Sequence, residues 1–133
     1  MPTILIVDNE HDLLIAFGAV LRHAGHEVRT ASTFVTALQV LDKEQPDLVL
    51  LDIKLGDQEY DGLYLLRRMR ERMPQLKVVI VSAYLDLATR QVALAAGALD
   101  CWSKPVTMQM LAEGAAQVLA APGLPPDAGV VGQ

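Results

Sequence analysis

The stretch Ile4-Leu5-Ile6-Val7-Asp8-Asn9-Glu10 decides how the rest of the chain is read. Four aliphatic residues run without a break and then give way at once to three polar ones. A second run, Leu48-Val49-Leu50-Leu51, ends at Asp52, and a third, Val78-Val79-Ile80-Val81, ends at Ser82. A strand with one wet face alternates apolar and polar side chains. A run that is apolar at every position suits a strand covered on both faces, as in a parallel sheet between two helical layers. Val28 and its neighbours give a weaker second strand, and Leu99 to Ser103 a fifth.

Stretches with helical spacing separate these runs. Leu13, Leu14, Phe17 and Leu21 share one face, and Gly25 stands where a helix C-terminus calls for glycine. Phe34, Ala37, Leu38 and Leu41 form a second stripe, with Ser32 or Thr33 as N-cap. Leu63, Leu66, Met69 and Met73 form a third, stopped by Pro74. Asp86 to Ala96, followed by Gly97, and Met108 to Ala120 supply two more. The order is βα five times over, an α/β fold whose crossovers are right-handed and whose sheet is parallel.

Composition narrows the function. The 133 residues include a single cysteine, Cys101, and carry a net charge of 11 − 16 = −5. That length suits one domain of roughly 100–150 residues, large enough to need neither disulfide nor structural zinc. We expect the domain to occupy residues 1–121. Pro122, Gly123, Pro125, Pro126, Gly129 and Gly132 crowd the final segment, so residues 122–133 read as a flexible tail or linker. Met1-Pro2-Thr3 is not a basic leader and no run approaches the roughly 20 apolar residues of a membrane span, so a cytoplasmic location without membrane contact is expected. The acidic balance speaks against direct nucleic-acid binding, which needs clustered Lys and Arg.

In a parallel α/β sheet, ligands bind outside the carboxyl ends of the strands. Here those ends carry Asp8 with Asn9 and Glu10, then Asp52, Ser82 and Lys104. Carboxylates hold a hard cation such as Mg²⁺, which commonly shares its shell with phosphate oxygens. A hydroxyl and an ammonium suit the remaining phosphoryl oxygens, and a carboxylate can itself become the nucleophile.

With these residues in place, the chain resembles the receiver domain of bacterial two-component response regulators. The resemblance rests on Ile4 to Glu10, Pro46 to Asp52, Asp61-Gly62, Val81-Ser82-Ala83 and Ser103-Lys104-Pro105, and it runs from about residue 3 to residue 120. It implies a doubly wound, flavodoxin-like sheet of strand order 2-1-3-4-5. It makes Asp52 the acceptor of a phosphoryl group from a sensor histidine kinase or phosphotransfer protein. Asp8, Asn9, Asp52 and the backbone carbonyl of Lys54 become the Mg²⁺ ligands. Ser82 becomes the switch hydroxyl and Lys104 the phosphate contact, with a cis bond to Pro105. Lys54 and Tyr84 flank the site.

Three features depart from the family pattern. Asn9 replaces the second acid of the usual pair, which weakens the pull on a cation. Cys101 stands where a Tyr or Phe is usual, and Trp102 cannot simply substitute, because adjacent strand residues face opposite ways. Gly56 to Tyr60 lengthens the loop between Asp52 and Asp61-Gly62 by about two residues. Asn9 and Cys101 support an alternative, a receiver-like interaction domain that works without phosphorylation. A phosphohydrolase with an Asp nucleophile is disfavoured because Lys54 occupies the place of its catalytic acid. Cys101 reads as a small buried residue, and the histidines at 11, 23 and 26 as solvated. Arg67, Arg68, Arg70 and Arg72 read as a basic patch, by default a solvent-facing one, with kinase docking or a salt-bridged surface as alternatives. The nearly uncharged stretch from Thr107 to Ala121, with Ala93, Leu94 and Ala96, offers a weakly polar surface for a second copy, an effector domain or a downstream protein.

Overall fold

Each all-apolar run divides its side chains between two hydrophobic cores. The computed structural model describes residues 1–56 and 61–122. Its elements are β1 (Thr3–Val7), α1 (His11–His23), β2 (Glu27–Ala31), α2 (Phe34–Lys43), β3 (Leu48–Leu51), α3 (Asp61–Arg72), β4 (Lys77–Ser82), α4 (Leu87–Ala95), β5 (Asp100–Ser103) and α5 (Met108–Ala120). All strand pairings are parallel, in the order β2-β1-β3-β4-β5. Leu5, Val7, Val49, Leu51, Val78, Ile80 and Cys101 face one core, which Ala37, Leu41, Leu65, Leu66, Met69 and Ala93 of α2, α3 and α4 close. Ile4, Ile6, Leu48, Leu50, Val79 and Val81 face the other, closed by Leu14, Leu21, Leu111 and Ala115 of α1 and α5. Period-two alternation is therefore present in these strands, but both faces are dry. Cys101 and Trp102 lie on opposite faces as expected.

Local chemistry sets the helix ends. Thr33 caps α2 in a reciprocal box: the Thr36 N–H donates to Thr33 Oγ1, and the Thr33 N–H donates to Thr36 Oγ1, both at 3.1 Å. Asp86 and Thr107 cap α4 and α5 by accepting the N–H of Thr89 and of Met110. Gly25 and Gly97 follow α1 and α4 with φ of 100° and 109°, the left-handed conformation that glycine adopts without strain.

Arg70 departs from the reading of a solvent-facing patch, and Lys77, which the sequence does not single out, has a similar structural part. The half-buried Arg70 donates to the carbonyls of Pro74 at 2.6 Å and Gly97 at 2.7 Å, tying the end of α3 to the end of α4. Burial pulls its guanidinium pKa down. Lys77, at the start of β4, donates to the carbonyls of Val118, Leu119 and Ala121, closing the C-terminus of α5. Arg72 pairs with Asp42 on α2 at 2.7 Å. Among the described residues no helix is long and apolar enough to cross a membrane. The lengthened loop falls on residues 57–60 and the expected tail on residues 123–133, both outside the described residues.

Candidate functional site

The site is built where β1, β3, β4 and β5 end. Parallel pairing sets Val7 beside Leu51, so the next residue of each strand, Asp8 and Asp52, emerges at the same edge. The Asp52 N–H donates to the Val7 carbonyl at 2.9 Å and the Asp8 N–H to Ala31 at 3.1 Å, which fixes both backbones. On the far side, Ser82 pairs in register with Ser103, and the Lys104 N–H donates to the Ser82 carbonyl at 2.9 Å. The sheet thus delivers a carboxylate, a carboxylate, a hydroxyl and an ammonium from four different strand ends.

The side chains meet at Lys104. Its ammonium donates to Asp8 Oδ2 at 2.7 Å and to Asp52 Oδ2 at 3.2 Å, and it also reaches Glu10 Oε1 at 3.5 Å. Asp8, Asp52 and Ser82 are all buried. Burial pushes the Asp8 carboxyl above the usual carboxylate range, and the negative charge of Asp52 adds to that. The hydrogen bonds from Lys104 and from the Glu10 N–H oppose it without cancelling it. For Lys104, burial alone would lower the pKa. The Asp8 hydrogen bond and the charges of Asp52 and Asp8 outweigh burial, and the ammonium is held above the ordinary lysine value. The two directions have different leading causes: burial dominates at Asp8, whereas at Lys104 the two neighbouring carboxylates overcome burial.

The other expected residues take less committed positions. Asn9 follows Asp8 directly, but its side chain is exposed. The Ser82 hydroxyl accepts the N–H of Tyr84 at 3.2 Å and is not the cap of α4, a role that belongs to Asp86. The Lys54 N–H reaches Asp52 Oδ1 at 3.4 Å, while its ammonium turns away over the Tyr84 ring, 5.5 Å from the centroid. The Lys104–Pro105 bond is cis. Cys101 is buried and free, and burial pushes its thiol pKa up. Among the described residues no three His, Cys, Asp or Glu cluster at metal-holding range.

Gly62 has a structural part that its motif alone does not reveal. Its N–H donates to the Ile53 carbonyl at 2.6 Å. A Cβ there would fall on the Asp52 carbonyl oxygen and come within 2.5 Å of Ile53 Cα. The start of α3 therefore lies against the backbone that presents Asp52, and only glycine permits that approach.

A family model described as the response regulator receiver domain matches residues 4–116. The chain belongs to the receiver family. Sporulation initiation phosphotransferase F of Bacillus subtilis is 36% identical over 102 residues, which cover 77% of this chain and 81% of that protein. The alginate biosynthesis transcriptional regulatory protein AlgB of Pseudomonas aeruginosa is 39% identical over 116 residues, 87% of this chain but 25% of AlgB. The receiver thus spans about a quarter of one relative and most of another. Among solved structures, the CheY-like receiver domain protein of Methanospirillum hungatei superposes with a TM-score of 0.84 at 34% identity, covering 90% of this chain and 94% of that one. The receiver domain of NtrX from Brucella abortus gives 0.80 at 36% identity, covering 87% and 97%. The strand order first taken from resemblance is the observed one, and the receiver is a two-component signalling module.

Proposed function

We propose that this receiver domain accepts a phosphoryl group on Asp52 from a sensor histidine kinase or phosphotransfer protein in a Mg²⁺-dependent reaction. The reading rests on one observation: buried Asp8 and Asp52 converge on the ammonium of Lys104, at 2.7 and 3.2 Å. Two buried carboxylates already drawn to one cation fit Mg²⁺, which takes one or two protein carboxylates, and the amide oxygen of Asn9 and the backbone carbonyl of Lys54 would complete an all-oxygen set. The ion, when bound, neutralises charge on the phosphoryl oxygens.

The chain's own residues do the rest. A carboxylate oxygen of Asp52 attacks phosphorus in line with the bond to the donor's imidazole nitrogen. The new O–P bond forms as the N–P bond breaks, and the electron pair stays on nitrogen. Lys104, within hydrogen-bond reach of Asp52, neutralises one phosphoryl oxygen, and the Ser82 hydroxyl donates to another. The added charge of about −2 draws Ser82 away from the Tyr84 N–H and shifts a two-state equilibrium of the surface formed by α4, β5 and α5. Residues 1–121 act as the receiver unit in the cytoplasm. Residues 122–133 act as a tail or a linker to an effector domain, with a downstream protein or a second copy of the chain as further partners.

Incubation with a small acyl-phosphate donor and Mg²⁺, followed by intact mass, tests this. The parent is expected to gain one phosphoryl group, and Asp52→Asn none. An Asp52→Asn protein that gains mass as readily as the parent overturns the assignment. A parent that stays unmodified at saturating Mg²⁺ leaves the phosphorylation-independent interaction module standing.

A further inference from the structure

A chain of polar and aromatic contacts spans the edge strand β5. On α4, Arg90 donates through Nη2 to the carbonyl of Cys101 at 3.1 Å, and its Nη1 lies 4.0 Å from Asp100 Oδ1. The same Asp100 accepts the Cys101 N–H at 2.8 Å, and its second oxygen accepts the Trp102 Nε1–H at 3.1 Å. The indole then lies against α5 at Gly114, where an added Cβ would come within 2.8 Å of Trp102 Cζ2 and 2.9 Å of Cη2. Guanidinium, carboxylate and indole so form a continuous chain from α4, over the edge of the sheet, to α5.

We propose that Arg90, Asp100 and Trp102 are positioning residues that couple α4 to α5, so that displacement of one helix is passed to the other across β5. The coupling does not come from the strength of the Arg90–Asp100 pair, since a surface ion pair contributes little. It comes from geometry. Arg90 holds the β5 backbone at the Cys101 carbonyl and stands 4.0 Å from Asp100, so α4 is tied to the strand. Trp102 sits in the notch left by the missing side chain of Gly114, and its ring does not tilt without pressing on α5. The strand that carries this link runs directly into Ser103 and Lys104, so the link also adjoins the candidate site. It operates whether or not Asp52 is phosphorylated, and it is tested without phosphorylation.

The test loosens α4 alone and reads α5. Asp86→Ala removes the acceptor of the Thr89 N–H, a 2.7 Å bond at the start of α4, and among the described residues Asp86 has no side-chain hydrogen bond or ion pair to β5 or α5. Two readouts are followed in the full chain: emission of Trp102, the single tryptophan, and amide hydrogen exchange across residues 108–120. In the parent background, uncapping is expected to shift the emission and to speed α5 exchange several-fold over any change in β1 and β3. In Arg90→Gln and Asp100→Asn backgrounds the same uncapping is expected to leave both readouts where they were. Arg90→Lys, which keeps the charge and one donor for the Cys101 carbonyl, is expected to restore part of the response. The proposal is overturned if uncapping leaves Trp102 and α5 unchanged in the parent. Equal effects in all backgrounds, or exchange that accelerates equally in β1 and β3, overturn it as well.

Discussion

Replacing Lys104 by methionine keeps an unbranched stem of similar length and deletes the ammonium that Asp8 and Asp52 share. The lysine side chain is 12% exposed and the two carboxylates 3% and 7%, so water does not readily take over the lost contact. Breaking a buried ion pair by removing one partner costs about 3–5 kcal/mol, because the remaining charge is stranded. Here two like charges are stranded at once. With an unfolding entropy near 2.1 cal/mol/K per residue, a chain of 133 residues loses roughly 3–4 °C of Tm per kcal/mol. The expected fall is therefore about 10–18 °C in metal-free buffer.

The loss also carries a pH signature. Burial already holds Asp8 above its ordinary pKa, and the Lys104 hydrogen bond is the strongest influence opposing that rise. Without it the folded-state pKa climbs further. A carboxyl raised in the folded state favours the neutral form, so its contribution to stability is present below the unfolded pKa and is lost as pH rises through the folded one. Lys104 itself, held above the ordinary lysine value, stays protonated in the parent throughout this window. The deficit of Lys104→Met should therefore be largest near about pH 8 and should narrow as pH falls toward about 4. Urea unfolding of both proteins with a chelator present measures it, and adding Asp8→Asn to the variant should recover much of the loss. A deficit below about 1 kcal/mol at neutral pH, or one that does not change with pH, would refute the shared-cation account.

Gly62→Ala forces a methyl onto the Asp52 carbonyl and Ile53, and should cost about 1–3 kcal/mol in urea unfolding while slowing uptake of phosphoryl by Asp52. Asn9→Asp adds a charge beside Asp8. A unit charge at ~4 Å is worth on the order of 4 kcal/mol at an effective dielectric near 20, and hydration offsets much of it. Mg²⁺ affinity measured by calorimetry should tighten by at least about tenfold, equivalent to ~1.4 kcal/mol, while metal-free stability falls. The Cys101 thiol, pushed up by burial, should react with iodoacetamide far more slowly in the native protein than in urea, and equal rates would contradict its placement.

The fold was legible because its signal is redundant. Ile4 to Val7 reads as a doubly covered strand in isolation, and Leu48 to Leu51 and Val78 to Val81 say the same. Alternation of strand and helix makes the sheet parallel but does not order it, since crossovers of similar length serve several orders. That step needed the family resemblance. Asp8, Asp52 and Lys104 were legible because a parallel sheet gathers strand ends at one edge, however far apart they lie in sequence. Arg70 and Lys77 were not, because their partners are carbonyls at the ends of helices, and a carbonyl leaves no trace in the side-chain alphabet. Arg70 reads like its neighbours Arg67 and Arg68 until Gly97 is seen to lie above it. Gly62 shows a similar limit: its motif was quotable, but its necessity appears only when the Asp52 backbone is set against it.

The placement of positive charge ties these findings together. Lys77 and Arg70 spend their donors on carbonyls at the ends of helices, away from the edge that carries Asp8 and Asp52, and Lys54 turns over Tyr84. Lys104 is left facing Asp8, Asp52 and, more distantly, Glu10; the first two carboxylates raise the pKa of Lys104 against burial, while burial, with a smaller contribution from the Asp52 charge, raises that of Asp8. A receiver with a third carboxylate at position 9 would hold a still larger surplus, attracting a divalent ion more strongly and bearing its absence less well. Asn9 moves this chain toward the other end of that trade. It retains the two carboxylates that share Lys104 and adds no third charge beside them, so the electrostatics of this edge and the stability of the fold are set by the same few side chains.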